Sequence, residues 1–382
     1  MLISSQPPVH LTYCLNVVSG ESFADQWQAA RDWTAPMRPT GLGLRLGHHA
    51  ATEVAAGGMA SDFSAWCRAN DRYVFTINGF PHGAFHQMPV KASVYRPDWT
   101  DPARRDYTMQ LADLLATWLP PGVSGSISTV PCWYAPDYPD VRARETATRT
   151  CARHLFEVAR HLEHHAETTG TDICLGLEPE PWCLLEHSDD VVAFFNEQLL
   201  PRVGAENEDL VRRRIGVCID TCHCALAFED PAVVMRRSLA EGIRIAKVQI
   251  SAALSVDRAD APTCARLRAF AEPVYFHQVA ARVADGVRRW PDLPDFLRDG
   301  DAGITTGEAR VHFHVPLHWE GDDLLHSTRA TMTPAFWALL RQGVCSNLEV
   351  ETYTFHVFPN NMGGASMFDM INRELAWVTE QL

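Results

Sequence analysis

The densest set of reactive groups lies in Gly216-Val217-Cys218-Ile219-Asp220-Thr221-Cys222-His223-Cys224, where an apolar run ends abruptly in an acid, thiols and an imidazole. A short β-branched run followed by polar groups reads as a buried parallel strand, and α/β folds place their chemistry at the carboxyl ends of such strands. Asp220 is then the last strand residue, and the Asp-x-x-His spacing lets the departing turn bring His223 back over the strand end. A carboxylate and an imidazole facing one small volume suit a divalent cation or an acid/base pair. The plainer alternative is that Asp220 caps the next helix.

Other strands end the same way. Ile173 to Leu177 runs into Glu178 and then Pro179-Glu180-Pro181, whose prolines stop the ladder. Glu180 is expected to turn away from the mouth that Glu178 faces. Ile243 to Ser251 carries Gln249 near its end. Ser346 to Tyr353 carries Glu349 and Glu351 on one face by parity, and Glu351, followed by Thr352, is the one expected at the mouth. Buried carboxylates converging without a counterion are costly, and a divalent metal resolves that cost. Oxygen ligands suit Mg²⁺ or Mn²⁺, whereas added histidines shift the preference toward Zn²⁺, Co²⁺ or Fe²⁺.

Further candidates stand outside these strand ends. His312 and His314 share a face if Val311 to His318 is extended. The loop after Tyr73 to Gly79 holds Pro81, His82, Gly83, His86 and Pro89, and its length and aromatic content read as a lid over a substrate. His82 and His86 are expected to contact that substrate, together with Asn78 at the strand end. His161, His164 and His165, near the end of a long helix, read as a solvated face stabilised by the helix dipole. Cys218 and Cys222 flank Asp220 and point elsewhere, so a cysteine metal site is not expected.

The elements that must position these groups alternate along the chain. Strands are expected at His10 to Val18, Leu42 to Leu46, Tyr73 to Gly79, Ser126 to Val130, Ile173 to Glu178, Gly216 to Asp220, Ile243 to Ser251 and Ser346 to Tyr353, with helices between them. Ser22 or Ser19 is expected to cap the first helix, and Pro102 suits the first turn of the helix at Asp101 to Leu119. Eight strand-helix units give an α/β fold, a single (β/α)8 TIM barrel over residues 1–382. Leu254 to Arg310 loosens into Asp-, Arg-, Pro- and Gly-bearing segments with one helical stretch at Thr263 to Arg289, an insertion after the seventh strand.

Composition narrows the partners. A net charge of -14 argues against nucleic acid, whose phosphates are bound by Lys and Arg, and against an anionic membrane surface. Eleven scattered cysteines fit a reduced, cytoplasmic compartment better than a disulfide framework. Met1 to His10 lacks the pattern of a signal peptide, and no apolar run is long enough to span a bilayer.

The order Glu178, Asp220-x-x-His223, Gln249, Glu351-Thr352 resembles the xylose-isomerase-like TIM-barrel superfamily, which includes sugar isomerases, ketose 3-epimerases and endonuclease IV. Ile219-Asp220-Thr221-Cys222-His223 is similar to the endonuclease branch, and His312-x-His314 falls where that branch carries an Asp-x-His pair. With His10-Leu-Thr-Tyr13, Thr76-Ile-Asn-Gly-Phe-Pro81, Leu177-Glu-Pro-Glu-Pro181 and Leu348-Glu-Val-Glu-Thr352, the whole chain looks most like the EboE metabolite-traffic family. The resemblance implies a first metal on Glu178, Asp220, Gln249 and Glu351, with Gln249 departing from the usual histidine. It implies a second metal on His223, His312 and His314, with His312 in place of the Asp. The nuclease's third zinc is expected to be lost, because Asn78 and Thr129 stand where histidines would.

These readings lead first to a metal-dependent isomerase or epimerase acting on a small polyhydroxylated ketone, sugar or cyclitol in a secondary-metabolite pathway. Glu178 and Glu351 would be its paired bases, and His223 would hydrogen-bond a substrate oxygen. The alternatives are a two-metal hydrolase or oxidase using the histidine site, and a metabolite carrier without turnover working with pathway proteins.

Overall fold

Eight short apolar segments become the parallel strands of a barrel: β1 (Pro8–Tyr13), β2 (Thr40–Arg45), β3 (Arg72–Asn78), β4 (Gly125–Thr129), β5 (Ile173–Leu177), β6 (Ile215–Asp220), β7 (Arg244–Ile250) and β8 (Asn347–Val350). The computed structural model describes residues 1–34, 40–86, 89–304, 306–358 and 366–382. Ladders run continuously from β2 through β7 to β8 and β1, and an isolated parallel bridge between Cys14 and Gly43 closes the ring. The chain's first strand, Leu2–Ser5, folds back antiparallel on β1, a hairpin outside the expected strand-helix alternation.

Nearly every residue of these strands is buried, because helices cover the outside of the ring and side chains fill the inside. The helix Pro102–Trp118 begins at Asp101, whose carboxylate accepts from the Ala103 amide at 2.9 Å. Helix Val141–Thr169 buries Leu155, Val158, Ala159 and Leu162 on one face and stops at Gly170, whose φ of +73° is the left-handed conformation glycine supplies at low cost. Ser22 starts the first helix, its hydroxyl accepting from the Asp25 amide at 3.2 Å.

Inside the ring, a tight layer limits what side chains can be present. A Cβ on Gly43 would lie 2.0 Å from Glu349 Oε1, so the β2 position opposite Glu349 needs a glycine. Glu349 pairs with Lys247 of β7, and neither side chain has any exposure.

The insertion is better ordered than its composition suggests. Barrel strand β7 leads directly into Ala253–Val256, which joins Val279–Val283, Gly286–Trp290, Ala309–His314 and His326–Ser327 in a five-stranded antiparallel sheet. The single helical stretch expected at Thr263 to Arg289 is replaced by helices at Ala261–Leu267 and Leu293–Asp301 with a hairpin between them. Gly286–Trp290 is exposed except for Trp290, which removes the apolar alternation that marks a strand.

Candidate metal centre

Strand register assembles the centre. Asp220 lies level with Gln249, and Gln249 with Glu349, so the β6, β7 and β8 ends rise side by side. Glu178 and Glu351 sit just past their strands with their amides still in the ladder, donating to Thr129 O and Ile250 O at 3.1 Å each. Across the mouth, the antiparallel sheet contributes His312 and His314. The ladder between Ala309–His314 and Ala253–Val256 shifts register between Val311 and His314, which are opposite Leu254 and Ala253.

The two oxygens of Asp220 have separate surroundings. Oδ1 caps the short helix Thr221–Leu226, accepting from the Cys222 and His223 amides at 2.7 and 3.2 Å and from Ser251 Oγ at 2.6 Å. Oδ2 is buried with no hydrogen-bond partner. Glu178 Oε2 and His314 Nε2 are in the same state. Buried polar atoms are nearly always paired, so bare acceptors crowded at one mouth are the signature of a cation site. His314 is prepared for that role: its Nδ1–H donates to Glu351 O at 2.8 Å, which leaves Nε2 with its lone pair. Ligand atoms of Glu178, Asp220 and Glu351 lie within 4.8 Å of one another, as do those of Asp220, His223 and His314.

Three carboxylates this close cannot all stay charged unless a cation or protons intervene. Burial, with Asp220 and Glu180 nearby, pushes Glu178 up to about 8. Burial and the Glu178 and Asp220 charges push Glu351 well above the usual carboxylate range. Asp220 goes the other way: burial opposes it, but the His223 and His314 imidazoles hold its carboxyl below the ordinary value.

Glu351 is held by amides. Asn16 and Asn78 donate to Oε1 at 2.5 and 3.2 Å, and Gln249 Nε2 donates to Oε2. The Cys218 thiol donates to Gln249 Oε1 at 2.8 Å, which points the amide's donor end at Glu351. Gln249 therefore tethers Glu351 in this arrangement and presents no acceptor to a metal, a different role from the ligand expected of it. Asn78 also lines the cavity that leads to these groups.

The second cluster includes Glu180, contrary to the expectation that it turns away. Past Leu177 the chain leaves strand geometry, with Trp182 at φ +67°, and Glu180 turns inward. Glu180 Oε2 lies 2.9 Å from His223 Nε2, Glu180 Oε1 lies 3.8 Å from His312, and Tyr95 donates to Oε1 at 3.2 Å. His223 Nδ1 donates to Pro179 O at 2.8 Å. Burial disfavours a charged His223, yet Asp220, Glu180 and Glu178 raise it well above the ordinary imidazole range. His312 is lowered well below that range by burial and by His223; its Nδ1 donates to Gln278 Oε1 at 2.7 Å, and its Nε2 accepts from His223 at 3.2 Å. The three histidines stay together: His223 lies with Glu180 and His312 in one group and with Asp220 and His314 in another, and Cys222, expected to point elsewhere, joins His312 and His314.

A cleft of about 560 Å³, including its open mouth, leads to these groups. Phe80, Phe85, Tyr95, Tyr275, Phe276 and Tyr353 form its walls. The loop after β3 is fastened to the insertion, through Val90 N to Val274 O at 2.8 Å and a Lys91–Asp292 ion pair. His82 and His86 of that loop do not line the cleft. His82 stacks on His48 at 4.7 Å, and His86 bonds Tyr275 Oη at 2.6 Å and Asn16 O, so both shape the lid from behind. Tyr95, Tyr275 and Gln278 escape sequence reasoning because they lie far from any strand end. All eleven cysteines are buried and unpaired. Among the described residues no helix is long and apolar enough to cross a membrane.

No family model and no curated protein matches the chain. Solved structures do. The IolI protein with a bound zinc atom superposes with a TM-score of 0.53 at 12% identity, covering 98% of this chain and 99% of that one. A xylose isomerase-like TIM barrel protein from Mycobacterium smegmatis, in complex with magnesium, gives 0.53 at 10% identity over 98% of this chain and 96% of that one. The chain has the fold of the xylose isomerase-like TIM barrels.

Proposed function

We propose that this protein is a metal-dependent isomerase or epimerase of a small polyhydroxylated ketone, sugar or cyclitol. The observation that carries the reading is the convergence of Glu178, Asp220 and Glu351 with the bare Nε2 of His314 at the closed end of an aromatic cleft. Asp220 Oδ2, Glu178 Oε2 and His314 Nε2 fit a divalent cation, and mixed oxygen and nitrogen donors favour Mn²⁺, Co²⁺, Fe²⁺ or Zn²⁺ over Mg²⁺. When bound, such a cation polarises a carbonyl and the hydroxyl beside it, which acidifies the intervening C–H.

The protein's own groups move the proton. Glu178 and Glu351 are the carboxyls of this centre whose affinity for a proton is raised, so one can accept a proton from carbon while the other returns one. Asn16, Asn78 and Gln249 fix Glu351 in place. His223, whose Nδ1–H is held on Pro179 O, has only the Nε2–H now facing Glu180 to turn toward a substrate oxygen. The aromatic walls exclude water, and the EboE-like motifs suggest a secondary-metabolite pathway with protein partners in the cytoplasm as the setting.

A second reading, a two-metal hydrolase or oxidase, draws on the Glu180, His223 and His312 group. Its weakness is that both His223 nitrogens are already engaged, Nδ1 on Pro179 O and Nε2 on Glu180 and His312. The deciding experiment combines metal analysis of tag-free protein with incubation of keto-polyols in D2O. One metal per chain at the mouth, lost in Asp220→Ala, and deuterium entering the substrate carbon with wild type but not Glu178→Gln, is the expected result. A second metal that is lost in His312→Ala would favour the hydrolase or oxidase, and stoichiometric binding without exchange would favour a carrier.

A further inference from the structure

A separate group of metal-binding side chains lies on the outer wall. His161 and His165 are one turn apart on helix Val141–Thr169, and each aims Nε2 at a single oxygen of the neighbouring helix, Asp113 Oδ1, at 2.6 and 2.7 Å. These ligand atoms all lie within 4.8 Å of one another. The histidines read from sequence as a solvated face, and helix Pro102–Trp118 supplies the carboxylate that changes their meaning.

We propose that Asp113, His161 and His165 form a zinc site that clamps helix Pro102–Trp118 to helix Val141–Thr169. Two imidazoles and a carboxylate are a borderline-metal donor set, and three protein ligands leave a position for water. Half of the Asp113 side chain is exposed, against 28% of His161 and 18% of His165, so water reaches the site from one side only. Tetrahedral zinc needs its ligands about 3.3 Å apart, so the present hydrogen bonds must open by only ~0.6 Å. His161 and His165 lie in the C-terminal half of their helix. That half of the helix leads into the start of β5, which puts the site at the end of the barrel away from the metal centre.

The test is a zinc titration of metal-stripped, tag-free protein by calorimetry, comparing wild type with His161→Gln/His165→Gln and with Asp113→Asn. Wild type is expected to take one zinc more than the double variant, whatever the centre at the mouth takes. Asp113→Asn, which keeps the shape and removes the charge, is expected to weaken that zinc tenfold or more. Added zinc should raise Tm further in wild type than in the double variant, with equal Tm before addition. The same stoichiometry and affinity in wild type and double variant would overturn the proposal. If the double variant does not fold, unchanged zinc binding in His165→Gln alone overturns it equally.

Discussion

The ammonium of Lys247 and the carboxylate of Glu349 form an ion pair inside the barrel with no exposure on either side chain. Ser128 Oγ, 3.3 Å from the ammonium, adds a further polar partner. The pair forms the floor beneath Glu351, two residues further along β8, and Lys247 is held firmly charged by Glu349 despite its burial.

Breaking that pair is expected to destabilise the fold much more than removing it. Lys247→Met leaves a buried carboxylate uncompensated and should cost about 3–5 kcal/mol in urea unfolding, whereas Lys247→Met/Glu349→Gln should recover a large part of the loss. Equal stability of the two variants would show that the charge of Glu349 is not what makes the single change costly.

Glu180 sets the charge of His223, so Glu180→Gln should lower the His223 pKa. The carboxylate lies 2.9 Å from Nε2 and is among the groups raising it. Imidazole NMR titration should show a fall of about one unit or more, the scale of losing a charge partner at that distance. An unmoved titration would mean that Asp220 alone holds the proton.

Loosening Glu351 should damage turnover more than binding. Asn16→Ala removes the 2.5 Å donor from Oε1 and leaves Asn78 and Gln249 in place. The expected outcome is a turnover rate lowered tenfold or more with metal content unchanged, in the range of a positioned acid or base losing its alignment. Loss of the metal instead would make Glu351 chiefly a ligand.

Glu374, on the last helix, predicts a pH-dependent stability. It accepts from Tyr13 Oη at 2.7 Å, Thr352 Oγ1 at 2.9 Å and Leu317 N at 2.8 Å, yet burial outweighs these donors and pushes its carboxyl up to about 7 from an ordinary 4.5. A carboxyl raised on folding stabilises the protein fully below its unfolded pKa and loses that contribution as pH rises through the folded one. Between pH 4.5 and 8, wild type should therefore lose about 3 kcal/mol relative to Glu374→Gln in urea unfolding. A constant difference across that range would show that Glu374 does not titrate there.

The barrel is legible in the sequence because its inner strands are nearly uninterrupted apolar runs that stop at acids, as at Ile219-Asp220 and Leu177-Glu178. The antiparallel sheet is not, since Gly286–Trp290 carries two arginines on an exposed hairpin and offers no apolar alternation. Glu180 is misplaced in the sequence reading although parity favours it: it stands two residues after Glu178, and alternate residues share a face. Lys247 escapes notice because a lysine within an apolar strand reads as a gap in the pattern, and only the ion pair inside the barrel reveals Glu349 beside it. Distances between side chains of different elements, such as Asp113 to His161, have no sequence signature at all.

The division of donors between barrel and antiparallel sheet has a consequence for metal choice. The barrel strands bring carboxylates, while the strand Ala309–His314 of the antiparallel sheet brings both His312 and His314. Oxygen donors alone suit hard ions, and imidazole nitrogen shifts preference to softer ones. A preference for softer ions at this mouth would therefore depend on the antiparallel sheet as well as on the barrel, because His312 and His314 stand on that sheet while the carboxylates stand at barrel strand ends.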